Sequence, residues 1–149
     1  EYITFWLVVE LLENFNLRAN YKEGFPGLAI HNSKIKKMVK ENLKSTYEVL
    51  DKNNVDINFI IVEWVFSLFC SLIPLTIQIE FFINFFEGGW DYFYKVCYCL
   101  FKSKNLSSVV DADDIYILLR LTKSNEENTK EKQDYWIKIL REASELDKF

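Results

Sequence analysis

The chain has 149 residues, a net charge of −4 and an aromatic content of 17%. This length allows one domain with a substantial core, and the excess of acidic residues argues against a nucleic-acid-binding protein that works by bulk charge. Four glycines and two prolines are too few for the turns of a typical barrel or sandwich, so the composition favours an all-α fold.

The first part of the chain has the apolar spacing of two helices. Apolar side chains recur every three or four residues over 2–16, and this helix is expected to end before the turn at 24–27. A second helix is predicted over 33–51, with Ser33 as its N-cap and an apolar face made by Ile35, Met38, Val39, Leu43, Tyr47 and Leu50. The opposite face carries four lysines, Lys36, Lys37, Lys40 and Lys44. We favour a solvated surface for them, and a patch for an acidic partner or for lipid headgroups is the alternative.

The most apolar stretch of the sequence, 59–86, admits two interpretations. A membrane-spanning hairpin is one of them, because the stretch is long enough. Against it, Pro74 divides the stretch, Glu63 lies near its start, and polar side chains recur at Gln78, Glu80 and Asn84. We therefore predict two buried helices that meet at Pro74, one over 57–72 and one over 74–86.

Glycine and aspartate mark the next boundaries. Gly88 and Gly89 are expected to end the preceding helix, and a fifth helix is predicted over 90–101. After a polar loop at 103–108, Asp111 is expected to cap a sixth helix that reaches Leu121.

The sequence closes with a hydrophilic linker at 124–132 and a helix predicted over 132–147. The total is about seven helices and no strand. We expect a single all-helical domain over 1–149, with its core at 1–102 and its terminal helices at 111–147.

Few residues suggest catalysis or metal binding. Phosphate-binding glycine patterns are absent from the sequence. Cys70, Cys97 and Cys99 lack C-x-x-C spacing, and their odd number favours reduced core thiols of an intracellular protein over a zinc site. The single histidine, His31, is assigned a surface or capping role, and no cofactor is expected.

Two groups of acidic residues each allow two interpretations. The run Asp111-x-Asp113-Asp114 resembles a cation-binding cluster, but it lacks the glycine and distal glutamate of a calcium loop, so a helix cap is favoured. Glu63 and Glu80 are candidates for a buried acid pair. We prefer that each reaches the rim of its helix or a neighbouring donor.

The chain contains three short motifs, and the first two lie near its start. The opening reads Glu1-Tyr2-x-x-Phe5-Trp6, and a connector reads Tyr21-x-x-Gly24-Phe25-Pro26-Gly27-Leu28. The first resembles the pattern E-x-x-A-F-W, with Thr4 in place of alanine, and the second resembles Y-x-x-x-x-x-G-L. Both patterns belong to the second half of the TBC domain of Rab GTPase-activating proteins.

The third motif strengthens this resemblance. The TBC pattern is approximately W-x-x-x-L-F-x-x-x-x-P, then an apolar helix with W-D, then F-F-x-x-G. The chain matches it with Trp64, Leu68, Phe69, Pro74, Phe85, Phe86, Gly88 and Gly89. Phe82 and Ile83 stand where the family has Trp-Asp, which keeps an aromatic side chain and removes a polar anchor.

The resemblance implies part of a protein that accelerates GTP hydrolysis on Rab-type GTPases. The family supplies an arginine, from I-x-x-D-x-x-R, and a glutamine, from Y-x-Q, to the GTPase site. Neither motif occurs here, since the arginines and glutamines have other contexts at Arg18, Arg120, Arg141, Gln78 and Gln133. Both motifs are expected to precede Glu1, so residues 1–149 alone are expected to be inactive.

The resemblance also implies the partners. These are a GTP-bound Rab-family GTPase and the N-terminal half of the same TBC domain, with no nucleic acid, no direct metal, and a membrane only through the Rab. The predicted Rab contact is the start of the third-motif helix, with Asn58, Phe59, Glu63 and the edge of Trp64. A half-domain without its other half is expected to expose apolar surface and to form oligomers or be poorly soluble.

The expected location is intracellular, in the cytoplasm or peripheral on endomembranes, with a role in vesicle trafficking. Two alternatives to an activating function remain. One is a TBC-like adaptor that binds a Rab without activating it, and the other is a helical membrane protein.

Overall fold

Helices make up the regular structure of the residues that the computed structural model describes, which are 1–104, 106, 111–119 and 129–147. The elements in chain order are α1 (Tyr2–Glu13), a 3₁₀ helix (Leu17–Tyr21), α2 (Pro26–Asn42), α3 (Lys44–Lys52), α4 (Asn58–Ser67), α5 (Leu75–Ser103), α6 (Ala112–Leu119) and α7 (Lys130–Glu145). No strand occurs within these ranges. The all-α prediction is confirmed, although the boundaries of several helices differ from those expected.

The second helix differs most from its prediction. It begins at Pro26, because proline fits the first turn of a helix, where its missing N–H would have no helical acceptor. Ser33 therefore lies inside α2 and caps nothing. The backbone also leaves the helical region at Leu43 (φ −129°, ψ 58°), so the predicted span 33–51 is divided between α2 and α3.

A left-handed turn of two buried residues ends α4. Leu68 (φ 46°) and Phe69 (φ 61°) adopt a backbone conformation that costs a non-glycine residue roughly 1 kcal/mol or more. Phe69 is nevertheless fully buried and stacks on Phe93, with ring centroids 4.8 Å apart. The turn leads to Pro74, the N-cap of α5, and the predicted division of the apolar stretch at this proline is observed.

Gly89 divides the long helical span α5 into two helices. Within Leu75–Ser103, Gly89 alone has non-helical backbone angles (φ 60°, ψ −146°), which glycine adopts at little cost. The predicted end of one helix at Gly88 and Gly89 and the predicted start of the next at Trp90 are therefore confirmed.

The core lies between α5 and α7, with the α4 turn beside it. The buried face of α7 is formed by the predicted residues Trp136, Ile139, Leu140 and Ala143. Phe69 lies among three further rings, at centroid distances of 5.7 Å from Phe81, 4.8 Å from Phe93 and 6.1 Å from Trp136. Such aromatic clusters dominate the buried area of a small helical fold.

The first helix contributes no buried residue. As structural residues of the first motif, Phe5 and Trp6 are expected to pack in the core. In this chain they do not, because Phe5 is 59% exposed and Trp6 is 51% exposed. The chain joins the core at the end of α1, where Leu11 and Leu12 are partly buried against it, and the contact continues at Phe15. There the Phe15 ring lies 5.2 Å from that of Phe85, and Trp90 Nε1 donates a hydrogen bond to the Phe15 carbonyl (2.7 Å).

Side-chain caps begin both C-terminal helices. Asp111 Oδ1 accepts from the backbone N–H of Asp113 (3.2 Å), as predicted, and Thr129 Oγ1 accepts from that of Lys132 (3.4 Å). The polar connections predicted before α6 and before α7 lie mostly outside the described residues, as does the predicted end of the sixth helix at Leu121.

The apolar stretch 59–86 does not form a spanning hairpin. Helix α4 has 10 residues and is about 15 Å long, against about 30 Å of bilayer hydrocarbon. Across the described part of the chain, no helix has both the length and the hydropathy needed to cross a membrane.

Candidate partner-binding surface

The start of α4 is held by hydrogen bonds from two directions. Asp56 Oδ1 accepts from the backbone N–H of Asn58 (3.0 Å), and the backbone N–H of Asp56 donates to the Tyr116 hydroxyl of α6 (2.9 Å). These bonds fix the first turn of α4 against α6. As a result, Phe59 points outward and is 62% exposed, although the sequence around it is strongly apolar.

Phe59 lines a shallow hollow between α4 and α6. The other residues of the hollow are Asp113, Tyr116 and Ile117, and Ile117 is 53% exposed. An exposed aromatic beside an exposed aliphatic, with polar groups at the rim, has the composition of an interface anchor. The prediction for α4 did not include Tyr116 or Ile117. The available signal was Ile117 itself, an apolar residue outside the inner face defined by Ile115 and Leu119.

Glu63 lies one turn after Phe59 and is half-buried. Its Oε1 accepts a hydrogen bond from Ser71 Oγ (3.1 Å), so the carboxylate also holds the turn that follows α4. Glu80 is exposed on α5. The two glutamates therefore form no buried acid pair, and Glu63 has the neighbouring donor that the preferred interpretation requires.

Trp64 belongs to the core and not to the surface. It is 1% exposed, with its ring centroid 5.6 Å from that of Phe69 and 5.2 Å from that of Phe101. Its edge cannot reach a partner while α4 keeps this orientation. The sequence-based contact set is therefore corrected to Asn58, Phe59 and Glu63.

His31 is buried inside α2, which contradicts the predicted surface or capping role. Its ring lies 3.8 Å from the Trp90 ring, and its Nδ1 lies 2.7 Å from the Tyr94 hydroxyl. Burial, and to a smaller extent the nearby Lys34, lowers the pKa of His31 to about 4. The imidazole is therefore neutral at physiological pH.

The thiols are divided between the core and the surface. Cys97 and Cys99 are buried, as predicted, whereas Cys70 is exposed. Burial raises the pKa of Cys97 and that of Cys99, the latter to about 11, and partial desolvation of its sulfur raises the pKa of Cys70. None of the three therefore has the depressed pKa of a reactive cysteine. In the described ranges, no three His, Cys, Asp or Glu side chains come together in a group that could hold a metal ion.

The connector motif has a packing role at each end. The Tyr21 hydroxyl donates to the Phe66 carbonyl of α4 (2.8 Å). At Gly27, a Cβ would lie 2.2 Å from Asn20 Oδ1 and 2.8 Å from the backbone of Ala19 and Asn20, so only glycine fits there without displacement. The motif thereby joins the 3₁₀ helix, α2 and α4.

The third motif forms the turn and the aromatic layer around it. Leu68 and Phe69 make the left-handed turn already described. The half-buried Phe82 contacts the rings of Phe81 and Phe86, at centroid distances of 5.4 and 6.2 Å. Ile83, which replaces the family's aspartate, is 57% exposed and makes no polar contact.

Two of the glutamine and arginine side chains, Gln78 and Arg18, make contacts within the chain. Gln78 Nε2 donates to the carbonyls of Cys70 and Ile73, each at 3.0 Å, and so fixes the start of α5. Arg18 pairs with Glu13 at the surface. Arg120 lies outside the described residues. Neither Gln78 nor Arg18 is presented toward a common site.

Comparison with known families identifies the chain. A comparison with curated protein sequences gives no match. The family model described as the Rab-GTPase-TBC domain matches residues 1–107, which is more than half of the chain and includes all three motifs. The chain therefore belongs to the Rab-GTPase-TBC domain family.

Proposed function

We propose that this chain is the C-terminal subdomain of a GTPase-activating protein for Rab-type GTPases, in which it supplies the helical scaffold and part of the Rab-binding surface. The observation that carries the proposal is the family match over 1–107. The motif residues that it covers have identifiable packing roles, including the Gly27 contact and the left-handed turn at Leu68 and Phe69. These roles support a working TBC fold.

The Rab contact is assigned to Asn58, Phe59 and Glu63, extended by Tyr116 and Ile117. Phe59 and Ile117 supply apolar area at the centre of the hollow. Asp56 and Asp113 are exposed near it and give its rim a negative charge. A partner with an apolar side chain at its centre and basic groups around it would fit this surface.

The N-terminal half of the same TBC domain is proposed to cover α1. This helix exposes a continuous apolar surface, made by Tyr2, Ile3, Phe5, Trp6, Leu7 and Val8. A monomeric protein rarely leaves so large an apolar surface in water. We assign the arginine and glutamine motifs to that half, so residues 1–149 alone would bind a Rab at most weakly and would not activate it.

The first test is single-turnover GTP hydrolysis by a panel of Rab GTPases, with and without the full-length protein that contains this chain. Acceleration of one or a few Rabs, by about a thousandfold or more if both catalytic residues are present, is expected. The 149-residue chain added alone should leave the intrinsic rate unchanged. Acceleration by that chain would contradict the assignment of both catalytic residues to another segment.

The contact surface is tested by Phe59→Ala in the full-length protein. Loss of a central aromatic anchor is expected to weaken Rab binding about thirtyfold. Ile79→Ala is the matched control, because Ile79 is 70% exposed on α5, away from the hollow. Equal binding by the Phe59→Ala variant and the control would exclude Phe59 as an anchor.

An adaptor that binds a Rab without activating it is the second candidate. The sequence that precedes this segment discriminates the two candidates, because both catalytic motifs there would favour an activator and loss of either would favour an adaptor. Rab binding by the full-length protein without acceleration would establish it. In either case we place the protein inside the cell, in the cytoplasm or on endomembranes through its Rab, with a role in vesicle trafficking.

A further inference from the structure

Positive charge is concentrated in one groove of this acidic chain. The groove lies along the second half of α2 and the start of α3, and its lining residues are Ser33, Lys36, Lys37, Lys40, Glu41, Lys44 and Tyr47. It therefore holds four lysines and one glutamate in a chain whose net charge is −4. We call this surface the basic groove.

The lysines of the basic groove are exposed and largely free of ion pairs. Among the described residues, the ion pair in the groove is Lys37–Glu41, at 4.0 Å between two well-exposed side chains, which is a weak interaction. Lys40 lies over the Tyr47 ring at 5.7 Å, a contact that leaves its ammonium group in water. Most of the positive charge thus remains available to a partner.

The chemistry of the groove fits an extended anionic surface better than a single anionic group. Its cations are all lysines, which act as mobile point charges, and no arginine supplies the rigid fork that grips one phosphate or carboxylate. The groove is open, so it does not enclose one ligand. A bilayer with anionic headgroups presents many charges in a plane, and each nearby lysine contributes independently to binding it.

Acidic residues limit the groove on one side. Beyond Lys36 and Tyr47, the neighbouring hollow is lined by Asp51, Asp56 and Asn58. These carboxylates would be repelled by an anionic membrane, which favours one orientation of the molecule on the surface. The start of α4, with its proposed Rab contact, lies beside these carboxylates and is therefore kept off the membrane.

We propose that the basic groove binds anionic lipid headgroups of a membrane by electrostatic attraction. This contact is direct, and it goes beyond the proposed function, in which the membrane is reached only through the Rab. The binding is reversible and sensitive to salt, because the lysines provide charge and no side chain of the groove inserts into the bilayer.

The test measures how the 149-residue chain binds vesicles of phosphatidylcholine and phosphatidylserine in equal parts, and vesicles of phosphatidylcholine alone. Binding to the vesicles of phosphatidylcholine alone measures adsorption through the apolar surface of α1, which does not depend on charge. The test variant is Lys37→Gln/Lys40→Gln/Lys44→Gln. The matched control is Lys22→Gln/Lys130→Gln/Lys138→Gln, which changes the net charge equally at exposed lysines outside the groove. Circular dichroism verifies that both variants are folded.

Each lysine near the membrane surface contributes about fivefold to the affinity, so the test variant should bind the anionic vesicles roughly a hundredfold more weakly. The affinity of the control variant should change only slightly. Equal losses in the two variants, or equal binding of the native chain to both kinds of vesicle, would overturn the proposal. Binding to an oligoglutamate peptide without binding to anionic vesicles would overturn it in favour of an acidic protein partner.

Discussion

Helices α1 and α5 are both strongly apolar in sequence, yet they have opposite environments. Helix α5 buries ten residues, among them Phe81, Phe85 and Phe93, whereas α1 buries none. The difference is that α5 packs against α7 in the same chain, while the apolar side chains of the first turns of α1, from Tyr2 to Val8, have no covering element among the described residues. Apolar composition alone therefore indicates that a helix will be covered, but it does not indicate whether the covering element belongs to the same chain.

Truncating one phenylalanine in each helix would test this comparison most strongly. Phe93→Ala removes a fully buried ring that stacks on Phe69 and is expected to lower the free energy of unfolding by about 4 kcal/mol. Phe5→Ala removes a ring that is 59% exposed and should change it by less than about 0.5 kcal/mol. Urea denaturation of both variants measures the difference. Similar losses would show that α1 is buried in solution.

Gly27→Ala tests the contact between α2 and the 3₁₀ helix that follows α1. The added Cβ would collide with the backbone of Ala19 and Asn20, which cannot rotate away as a flexible side chain can. The expected loss of unfolding free energy is about 2 to 3 kcal/mol. Ala29→Ser, at an exposed position of the same helix, should cost less than about 0.5 kcal/mol by the same denaturation assay. A tolerated Gly27→Ala would contradict the close contact with the 3₁₀ helix.

His31 makes the α2–α5 contact sensitive to pH. Its pKa is about 4 in the folded chain and 6.5 when unfolded, so the unfolded state binds the proton more readily. Stability should be insensitive to this group above pH 6.5 and should fall as the pH decreases from 6.5 to 4. We expect a loss of about 2 kcal/mol, which is below the full linkage value because the hollow beside His31 is open to water.

The measurement is thermal unfolding between pH 7 and pH 4 for the native chain and for His31→Gln. The chain contains one histidine, so the difference between the two curves isolates this residue from the carboxylates. The His31→Gln variant should lose less thermal stability than the native chain between pH 6.5 and pH 4. Parallel curves over this range would show that the imidazole is not buried in solution.

The helical fold was largely predictable because its signals are local. The buried stripe of α7 follows the 3.6-residue period, and Pro74 begins a helix as expected. The helix boundaries were less predictable. Leu43 has no helix-breaking side chain, whereas the boundary at Gly88 and Gly89 was predicted correctly because glycine adopts the required backbone angles at little cost.

The candidate site was predictable only in part. Phe59 was proposed from its place at the start of the helix that carries the third motif. Ile117 joins it only through the packing of α6 against α4, which includes the Tyr116 hydrogen bond. The burial of Trp64 likewise depends on Phe69 and Phe101, which are distant from each other in sequence. No local pattern distinguishes an aromatic at the rim of a helix from one in the core.

The most direct test of the role of α1, with little expected effect on stability, is the double substitution Phe5→Ser/Trp6→Ser. Both side chains are more than half exposed, so the free energy of unfolding should change by less than about 1 kcal/mol. The native chain is expected to self-associate through α1, and this variant should shift it toward the monomer in sedimentation velocity.

Ile79→Ser/Ile83→Ser provides the matched control, because these residues are 70% and 57% exposed on α5. If the control reduces association as strongly, surface hydrophobicity in general drives it and α1 is not a specific docking face. If only the α1 variant becomes monomeric, the uncovered face of α1 is the surface through which the chain associates. The apolarity of α1 is then explained by a contact outside the core, as that of α5 is by a contact within it.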